Sequence, residues 1–517
     1  MDNECITFGD VTGHDDYQPW VDAMRKGYLP QKAVDQALVR LFTARMRLGM
    51  FDPPSMVPFS RIPASELDSP GHRQLALKLA EESMVLLKND GVLPLKGAKR
   101  IAVIGALAEQ TDVLLGNYHG SPTHIVSVLE GMKAAFPSAQ ITYVPGTEFL
   151  SNSGEPVPAA MLKAGDLTAP ESGEYRIGVT ANGTARISVA GRMIAQTYGG
   201  TSVGRIRLEK GVPAKLEVTA PPDARLFWRR VNDAPDPAAI AAARNADVVV
   251  AVVGITSALE GEEMPVSEPG FEGGDRTSID IPPAEEALVR AAASAGKPLV
   301  VVLMNGSALA ARWEKEHANA ILESWYSGEE GGAAIANTLA GLNNPAGRLP
   351  VTFYEDVHQL PKFEDYSMSA RTYRYFKGTP LWPFGHGLSY TTFSYSGLTL
   401  PKPAVKAGEP LRASVTVTNS GKVAGDEVVQ LYLSFPNVPG APIRALRGFR
   451  RIHLAPGDSQ SVAFDLSARD VSMVTEAGDI MVPAGKYELS IGGGQPGLGA
   501  PVVSGAFSVA GQLKLPE

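Results

Sequence analysis

The sequence predicts an α/β sandwich domain with a mostly parallel sheet, which carries an inserted β-sandwich-like module and precedes a second all-β domain. Continuous apolar segments such as RIAVIGAL (100–107) and DVVVAVVGI (247–255) alternate with helical segments, a pattern typical of strands buried on both faces. Residues 150–235 and 396–511 instead alternate apolar with polar residues between Gly, Asn and Pro, which indicates half-buried antiparallel strands. The last segment has the length of a small β-sandwich.

The composition is that of a folded globular protein, with 44% apolar and 20% charged residues among 517. This length is enough for three or four domains of about 100–200 residues each. The net charge of −8 gives no attraction to nucleic acid or to an anionic membrane, so neither is expected as a partner. The sequence contains no run of about 18 apolar residues, so no segment is expected to span a bilayer.

Motifs for cofactors and for other enzyme classes are absent from the sequence. It has no Cys or His cluster at zinc spacing, no G-x-S-x-G elbow and no G-x-x-x-x-G-K loop, so we expect neither a metal nor another cofactor. The single cysteine, Cys5, excludes an intramolecular disulfide. We interpret His14, Asp15 and Asp16 as surface residues rather than metal ligands. The opening MDNECITFGD has neither a basic start nor an apolar stretch, so no signal peptide is expected in this chain.

Two helices are predicted ahead of the first strand, over 18–28 and 30–50, and Pro30 suits a first helical position. The second helix places five apolar residues on one face, namely Val34, Leu38, Leu41, Phe42 and Leu48. About 50 residues supply no core of their own, so we expect this face to be exposed unless a partner covers it.

The predicted organisation has six parts. They are a helical segment over 1–52, a linker over 53–71, the α/β domain over 72–149 and 236–360, its β insert over 150–235, an aromatic linker over 361–395 and an all-β domain over 396–511. The aromatic linker, RTYRYFKGTPLWPFGHGLSYTTF at its core, is expected to pack its rings against both neighbouring domains.

One loop, TSALEGEEMPVSEPGFEGGDRTSIDIP (256–282), is the strongest candidate for a site. It is long, acidic and glycine-rich, and it follows a predicted parallel strand, where sheets of this kind place their sites. Five glutamates lie within thirteen residues, namely Glu260, Glu262, Glu263, Glu268 and Glu272. Carboxyl groups there could act as a general acid or base; the alternative is a solvated acidic loop with no role. A second segment, LLGNYHGSP (114–122), offers Asn117, Tyr118 and His119 to the same cleft, unless it is only a glycine-dependent turn.

Several motifs together resemble glycoside hydrolase family 3. They are VRLFTARMRLGMFDPP, ESMVLLKNDGVLPL, RIAVIG, LLGNYHG, NPAGRLPVTF, YRYF…LWPFGHGLSYTTF and LRGFRRIHLAPG. Each is weakly informative alone, but they occur in the family's order across nearly the whole chain, which makes the resemblance specific. It implies a (β/α)8 barrel, then an α/β sandwich, then a fibronectin type III-like domain over 396–511. Residues 150–235 are similar to a shortened form of the protective-antigen-type β insert that some members carry.

The resemblance also implies roles for particular residues. In the family the acid/base Glu comes from the loop that corresponds to 256–282. Aligning LEGEE and GGDR with the family's Glu-x-Glu-Gly-x-Asp-Arg pattern selects Glu262, with Glu263 and Glu260 in reserve because an insertion separates the two halves. By the same alignment Asp275 and Arg276 anchor the loop or contact sugar. Asn117 and His119, in the motif LLGNYHG, are candidates for substrate binding because their segment is expected to line the same cleft.

The start of the chain is similar to the end of the family's barrel. MDNECITFGDV resembles the Gly-x-Asp-x-Glu-Cys stretch near the last barrel strand, which makes Asp2 a candidate sugar contact and residues 1–52 a remnant of the barrel. The nucleophilic Asp, found in the family within Ser-Asp-Trp or Ser-Asp-Tyr, has no counterpart in this sequence. We therefore expect the chain to lack the nucleophile and to be inactive alone.

Two functions remain open from the sequence. The first is retaining hydrolysis of terminal β-glucosides or β-xylosides, in which this chain supplies the acid/base and a separate barrel-containing polypeptide, or the rest of a truncated gene, supplies the nucleophile. The second is a non-catalytic carbohydrate-binding or structural module derived from such an enzyme. The expected ligand in both cases is a β-glycoside or oligosaccharide, and the family implies a periplasmic or secreted location for the full-length parent.

Overall fold

The computed structural model describes residues 18–149, 154–163, 165–262, 264–266 and 268–516. The chain forms two compact units that meet in sequence between His72 and Arg73. The first unit contains helix α1 (Gln18–Arg25), helix α2 (Gln31–Arg47) and three short 3-10 turns, at Pro54–Met56, Pro58–Arg61 and Ala64–Glu66. Both helices end earlier than the sequence predicts.

Helix α2 has no buried residue. This exposure is expected, because a segment of about 50 residues supplies no core to cover the apolar face of the helix. Leu38, Leu41 and Phe42 are 37–47% exposed, whereas Val34 is half-buried. Pro30 is not the first helical residue but precedes it, with an extended backbone at φ −69° and ψ 142°. An exposed run of large apolar side chains along a helix marks a surface suited to a partner.

The second unit begins with the first half of the α/β domain. Its elements are α3 (Pro70–Ser83), β1 (Val85–Asn89), β2 (Arg100–Ile104), α4 (Asp112–Leu115), α5 (Val128–Ala135) and β3 (Gln140–Val144). Ser127 caps α5 through a capping box with Glu130, in which each side chain bonds the other residue's backbone N–H.

The chain then leaves the sheet to form an all-β insert. Its strands are β4 (Glu155–Pro156), β5 (Leu162–Lys163), β6 (Asp166–Thr168), β7 (Gly173–Ala181), β8 (Ala185–Val189), β9 (Arg192–Thr197), β10 (Gly200–Leu208), β11 (Pro213–Thr219) and β12 (Arg225–Arg230). They pair antiparallel in two sheets, ordered β10-β7-β12-β4 and β5-β6-β11-β8-β9. Alternate residues such as Ile177, Val179 and Ile187 are buried in one shared core, as the period of two predicts.

The chain returns to complete the α/β domain. The elements are α6 (Pro237–Asn245), β13 (Val248–Gly254), β14 (Phe271–Glu272), β15 (Asp275–Arg276), α7 (Pro283–Ala293), β16 (Leu299–Met304), α8 (Arg312–His317), β17 (Ala320–Glu323) and α9 (Gly331–Ala340), and the short helix α10 (Thr372–Tyr375) follows in the aromatic linker. Six strands form one sheet in the order β1-β17-β16-β13-β2-β3. All neighbours are parallel except the edge strand β1, which pairs antiparallel with β17.

The order of this sheet decides where a site can form. From β2 the chain moves outward to β3, and after the insert it returns to β13 on the other side of β2. Sheets of this kind place ligands beyond the carboxyl ends of the strands at such a reversal, because the connections diverge there and leave a crevice. All seven residues of β13 are buried, as the continuous apolar sequence predicts.

The last domain is all β. Its strands are β18 (Phe393–Thr399), β19 (Ala404–Lys406), β20 (Leu411–Asn419), β21 (Gly425–Ser434), β22 (Ala445–Leu454), β23 (Ser459–Leu466), β24 (Met473–Val474), β25 (Ile480–Val482), β26 (Gly485–Gly492), β27 (Val502–Ala510) and β28 (Leu513–Lys514). The sheets β18-β20-β23 and β19-β27-β26-β21-β22 enclose one apolar core. No helix in the described part of the chain has the length and apolarity to cross a membrane.

The aromatic residues between the two domains contact both of them. Trp382 meets Phe353 of the α/β domain edge to face, at 6.1 Å between ring centroids. Tyr373 stacks on Phe384 at 4.1 Å and meets the edge of Tyr432, on β21, at 6.1 Å. The linker therefore joins the two cores rather than separating them.

A glycine at the carboxyl end of β2 gives the first prediction. Gly105 has φ +102°, and a Cβ built there would lie 2.0 Å from the carbonyl oxygen of Val252 in β13. We expect Gly105→Ala to lower the free energy of unfolding by about 3 kcal/mol or more, because the two strands must separate. Gly91→Ala is the matched control, since Gly91 has φ +94° but no atom within 4 Å of a Cβ. Urea unfolding that gives equal losses of about 1 kcal/mol for both variants would show that the close approach is unimportant.

A second prediction concerns two buried carboxyl groups. Burial raises the pKa of Glu285, which accepts a hydrogen bond from Gly254 N at 2.7 Å, from 4.5 to about 8. Burial likewise raises the pKa of Glu323, which accepts from Asn305 Nδ2 at 3.1 Å, to about 8. Between pH 4.5 and about 8 the folded chain holds protons that the unfolded chain has lost, so stability falls as pH rises through this window.

The measurement is the free energy of unfolding across that window. Each group contributes a slope of up to about 1.4 kcal/mol per pH unit. Glu285→Gln, which keeps an oxygen for Gly254 N, is expected to reduce the slope, whereas the exposed Glu272→Gln leaves it as in the wild type. A slope that is identical in the wild type and Glu285→Gln would contradict the prediction.

Candidate active site

The loop over 256–282 leaves the carboxyl end of β13 and folds back on itself through the short hairpin β14–β15. Its first half pairs with the hairpin turn, because Gly261 N donates to Gly274 O at 3.2 Å and Met264 N donates to Gly273 O at 3.0 Å. A Cβ at Gly274, which has φ +92°, would lie 2.0 Å from Gly261 O. Glycine at position 274 therefore permits the backbone of the hairpin turn to approach the backbone of Gly261 closely.

Arg276 fixes the hairpin to the neighbouring strand connection. Its Nη1 donates to Ser307 Oγ at 2.9 Å and to Ala308 O at 2.8 Å, and its Nε donates to Ser278 O at 3.1 Å. Burial lowers the pKa of Arg276, and the nearby charge of Glu260 opposes that shift. The guanidinium thus has the contacts of a loop anchor.

Glu260 is turned towards this anchor. Its Oε2 accepts a hydrogen bond from Ser307 Oγ at 2.5 Å, and a Cβ at Gly306 would lie 3.2 Å from its Oε1. Tyr326 packs against the same glycine, and burial, reinforced by the charge of Glu260, raises the pKa of its phenol. The carboxylate of Glu260 is therefore half-buried and already hydrogen-bonded within the fold.

Glu262, two residues further on, is exposed. Its Oε2 accepts a hydrogen bond from the hydroxyl of Tyr118, whose side chain is 87% exposed. This hydrogen bond and the charge of Glu262 raise the pKa of Tyr118. Among the described glutamates of the loop, Glu262 combines access to solvent with a polar partner on another segment.

The segment with Asn117, Tyr118 and His119 lies beside the loop. Asn117 Nδ2 donates to the backbone oxygen of Glu260 at 3.1 Å, so it holds the loop backbone. His119 is exposed, with Nδ1 2.6 Å from Gly120 O. The contact between Tyr118 and Glu262 joins residues 144 positions apart, and the sequence analysis placed both segments at one cleft without pairing these two side chains.

The remaining acidic residues of the loop lie in other environments. Glu268 is buried between Arg176 at 2.9 Å and Arg205 at 3.4 Å, both from the insert. Burial raises the pKa of Glu268, and the two arginines oppose that shift. Glu272 and Asp275 are exposed on the hairpin.

Two predicted site residues, Asp2 and Glu263, lie outside the residues that the structure describes, as do His14, Asp15 and Asp16. The described residues contain no group of three or more His, Cys, Asp and Glu side chains arranged to hold a metal ion.

A cleft of about 1330 Å³ adjoins the loop, between the insert and the carboxyl ends of β2, β3 and β13. Its lining combines uncharged polar residues, including Thr256, Ser257, Gln196 and Thr201, with apolar residues and with charged ones such as Glu109, Arg205 and Glu268. Of the predicted site residues, His119 lines it. It lies at the reversal of the sheet order, where the fold favours a small-molecule site.

Comparison with protein families matches residues 84–390 to the glycosyl hydrolase family 3 C-terminal domain and residues 427–495 to a fibronectin type III-like domain. The chain is 33% identical to a xylan 1,4-β-xylosidase of Xylanibacter ruminicola, over 92% of this chain and 63% of that protein. It is 31% identical to a periplasmic β-glucosidase of Salmonella typhimurium, over 91% of this chain and 55% of that protein. The chain thus spans between half and two thirds of the length of these relatives.

The fold of the chain is also similar to the folds of solved structures. The fold is similar to that of a β-glucosidase from Streptomyces venezuelae in complex with D-glucose, with a TM-score of 0.78 and 29% identity over 95% of this chain and 66% of that one. A β-glucosidase from Erythrobacter marinus gives a TM-score of 0.68 and 28% identity, over 95% of this chain and 57% of that one. The resemblance predicted from the ordered motifs is confirmed, since one family model covers more than half of the sequence: the chain belongs to glycoside hydrolase family 3.

Proposed function

We propose that this chain is the acid/base-bearing part of a retaining β-glycosidase that cleaves terminal β-glucosides or β-xylosides. The observation that carries the proposal is the exposed carboxyl of Glu262, on a loop anchored beyond the carboxyl end of β13. The names of the relatives, β-xylosidase and β-glucosidase, support this class of substrate.

The position of Glu262 suits a general acid. In a retaining reaction one carboxylic acid protonates the leaving oxygen while a second carboxylate, about 5–5.5 Å away, attacks the sugar. A general acid must be accessible to the substrate, and the carboxyl of Glu262 is exposed. Glu260 is committed to Ser307, so we assign it to holding the loop rather than to proton transfer.

The nucleophile is proposed to come from outside the described residues. Glu268, a further carboxyl of the loop, is buried in ion pairs with Arg176 and Arg205 and is not free to attack a sugar. We propose that a barrel, as a separate polypeptide or as part of a longer protein, supplies the attacking Asp. The exposed apolar residues of α2, such as Leu41 and Met46, are a surface that such a partner could cover.

Asn117, His119, Asp275 and Arg276 are proposed to support the site in different ways. Asn117 and Arg276 hold the loop, by the contacts described above. His119 and Asp275 are exposed and are proposed to contact sugar hydroxyls. For the full-length protein we propose a periplasmic or secreted location, supported by the relative named a periplasmic β-glucosidase.

A second function is a carbohydrate-binding module without catalysis. The observation that favours it is the cleft of about 1330 Å³, since Glu262 is not among its lining residues. Hydroxyl and amide side chains such as Thr256, Ser257 and Gln196 can bind sugar hydroxyls without a nucleophile.

The first test is hydrolysis of 4-nitrophenyl β-glucoside and β-xyloside by the purified chain. We expect no turnover above that of Glu262→Gln, because removal of a nucleophile costs several orders of magnitude in rate. Robust turnover by the chain alone would overturn the proposal that the nucleophile lies elsewhere. The second function would be favoured if cellobiose or xylobiose binds saturably to the chain while the chain, even when joined to a family 3 barrel, hydrolyses neither nitrophenyl glycoside.

The second test joins the chain to a family 3 barrel and compares leaving groups. We expect Glu262→Ala to lower kcat/KM about 10²–10⁴-fold for a methyl glycoside and far less for a dinitrophenyl glycoside, whose leaving group needs no proton. Azide, which replaces the water that Glu262 would activate, is expected to restore part of kcat for the dinitrophenyl glycoside, for which hydrolysis of the glycosyl-enzyme limits the rate. Glu272→Ala is the matched control, an exposed glutamate of the same loop. Equal losses for both leaving groups would exclude Glu262 as the general acid.

A further inference from the structure

Tyr118 has a backbone conformation that bulky residues rarely adopt. Its φ is +55°, in the left-handed region, where the side chain crowds the backbone. Such a conformation persists where neighbouring contacts hold it, and it is found most often at functional sites. The contacts around Tyr118 therefore indicate what the strained geometry achieves.

Three contacts fix this segment. Gly116 packs against the ring of Tyr326, since a Cβ there would lie 3.2 Å from Tyr326 Cδ2. Asn117 Nδ2 holds Glu260 O, and Gly328 N donates to Leu114 O at 2.8 Å. With the residues just before it held in this way, the phenol of Tyr118 reaches Glu262 Oε2.

We propose that Tyr118 is a positioning residue that determines which oxygen of Glu262 carries the proton for the leaving group. Its hydroxyl donates to Oε2, so Oε2 acts as acceptor and the carboxyl proton is placed on Oε1. The chemical part of this inference rests on the function proposed above, whereas the contact does not.

The proton balance follows from that arrangement. In the first step the barrel carboxylate proposed above forms a bond to the anomeric carbon, the bond between that carbon and the glycosidic oxygen breaks, and the proton leaves Oε1 for that oxygen. The carboxylate of Glu262 that remains accepts a stronger hydrogen bond from Tyr118, because charge-assisted hydrogen bonds are stronger than neutral ones. In the second step water forms a bond to the anomeric carbon and gives a proton to Oε1, while the bond from that carbon to the barrel carboxylate breaks. Tyr118 keeps its own proton throughout.

The contact can be tested in the chain alone. Replacing Tyr118 with 3-nitrotyrosine gives one phenol that titrates near neutral pH and can be followed by its visible absorbance. We expect Glu262→Gln to lower the pKa of that phenol, since a hydrogen-bonded carboxylate favours the protonated phenol. Glu260→Gln, which alters the carboxyl bonded to Ser307, and His119→Gln, which removes the adjacent imidazole, are expected to preserve most of the raised pKa. An unchanged pKa in Glu262→Gln would overturn the proposal.

The role is tested in the barrel-fused enzyme. We expect Tyr118→Phe to lower kcat about 10-fold for a methyl glycoside, with little change in KM and little change for a dinitrophenyl glycoside. A merely structural role would lower kcat equally for both substrates, and that result would overturn the proposal. An unaltered kcat for the methyl glycoside would also overturn it. If Glu262→Ala shows no dependence on the leaving group while the nitrophenol remains coupled to Glu262, the proposed function fails and the contact stands.

Discussion

The candidate site depends on the hydrogen bonds that join Arg276, Ser307 and Glu260. The loop over 256–282 contains only four residues in strands, and side-chain contacts supplement the few backbone hydrogen bonds that fold it back on itself. Ser307 links the two ends, because it accepts from Arg276 and donates to Glu260. Because Arg276 and Glu260 are both held by Ser307, the loop can present the carboxyl of Glu262 to solvent in a defined position. Acid catalysis requires such a defined position.

The insert contributes a second attachment for the same loop. Glu268 forms ion pairs with Arg176 and Arg205, and the side chains of Arg176 and Glu268 are only 5% and 6% exposed. Loss of one partner of a buried pair of this kind costs about 3–5 kcal/mol, because the other charge stays buried without a counterion. The insert therefore does more than enlarge the domain, since it borders the cleft and holds the part of the loop that follows Glu262.

The connection to the fibronectin-like domain uses the same type of interaction. Arg348 and Glu427 form a buried ion pair at 2.8 Å between the α/β domain and β21. Burial raises the pKa of Glu427, and Arg348 opposes this shift. Buried ion pairs add specificity of docking more than stability, so they suit a junction whose geometry must be unique.

The sequence by itself determined the fold class, the family and the loop that is the candidate for the site, because hydrophobic period and ordered motifs are local properties of the chain. The motif alignment placed Glu262 ahead of Glu260, but only the tertiary structure gave the physical difference between them, since Glu260 is bonded to Ser307 and Glu262 is exposed and meets Tyr118. Tyr118 and Glu262 approach because β2 and β13 are neighbours in the sheet, although the insert lies between these strands in the chain. No local pattern encodes a contact that depends on strand order, which is why the partner of Glu262 could not be read from the sequence.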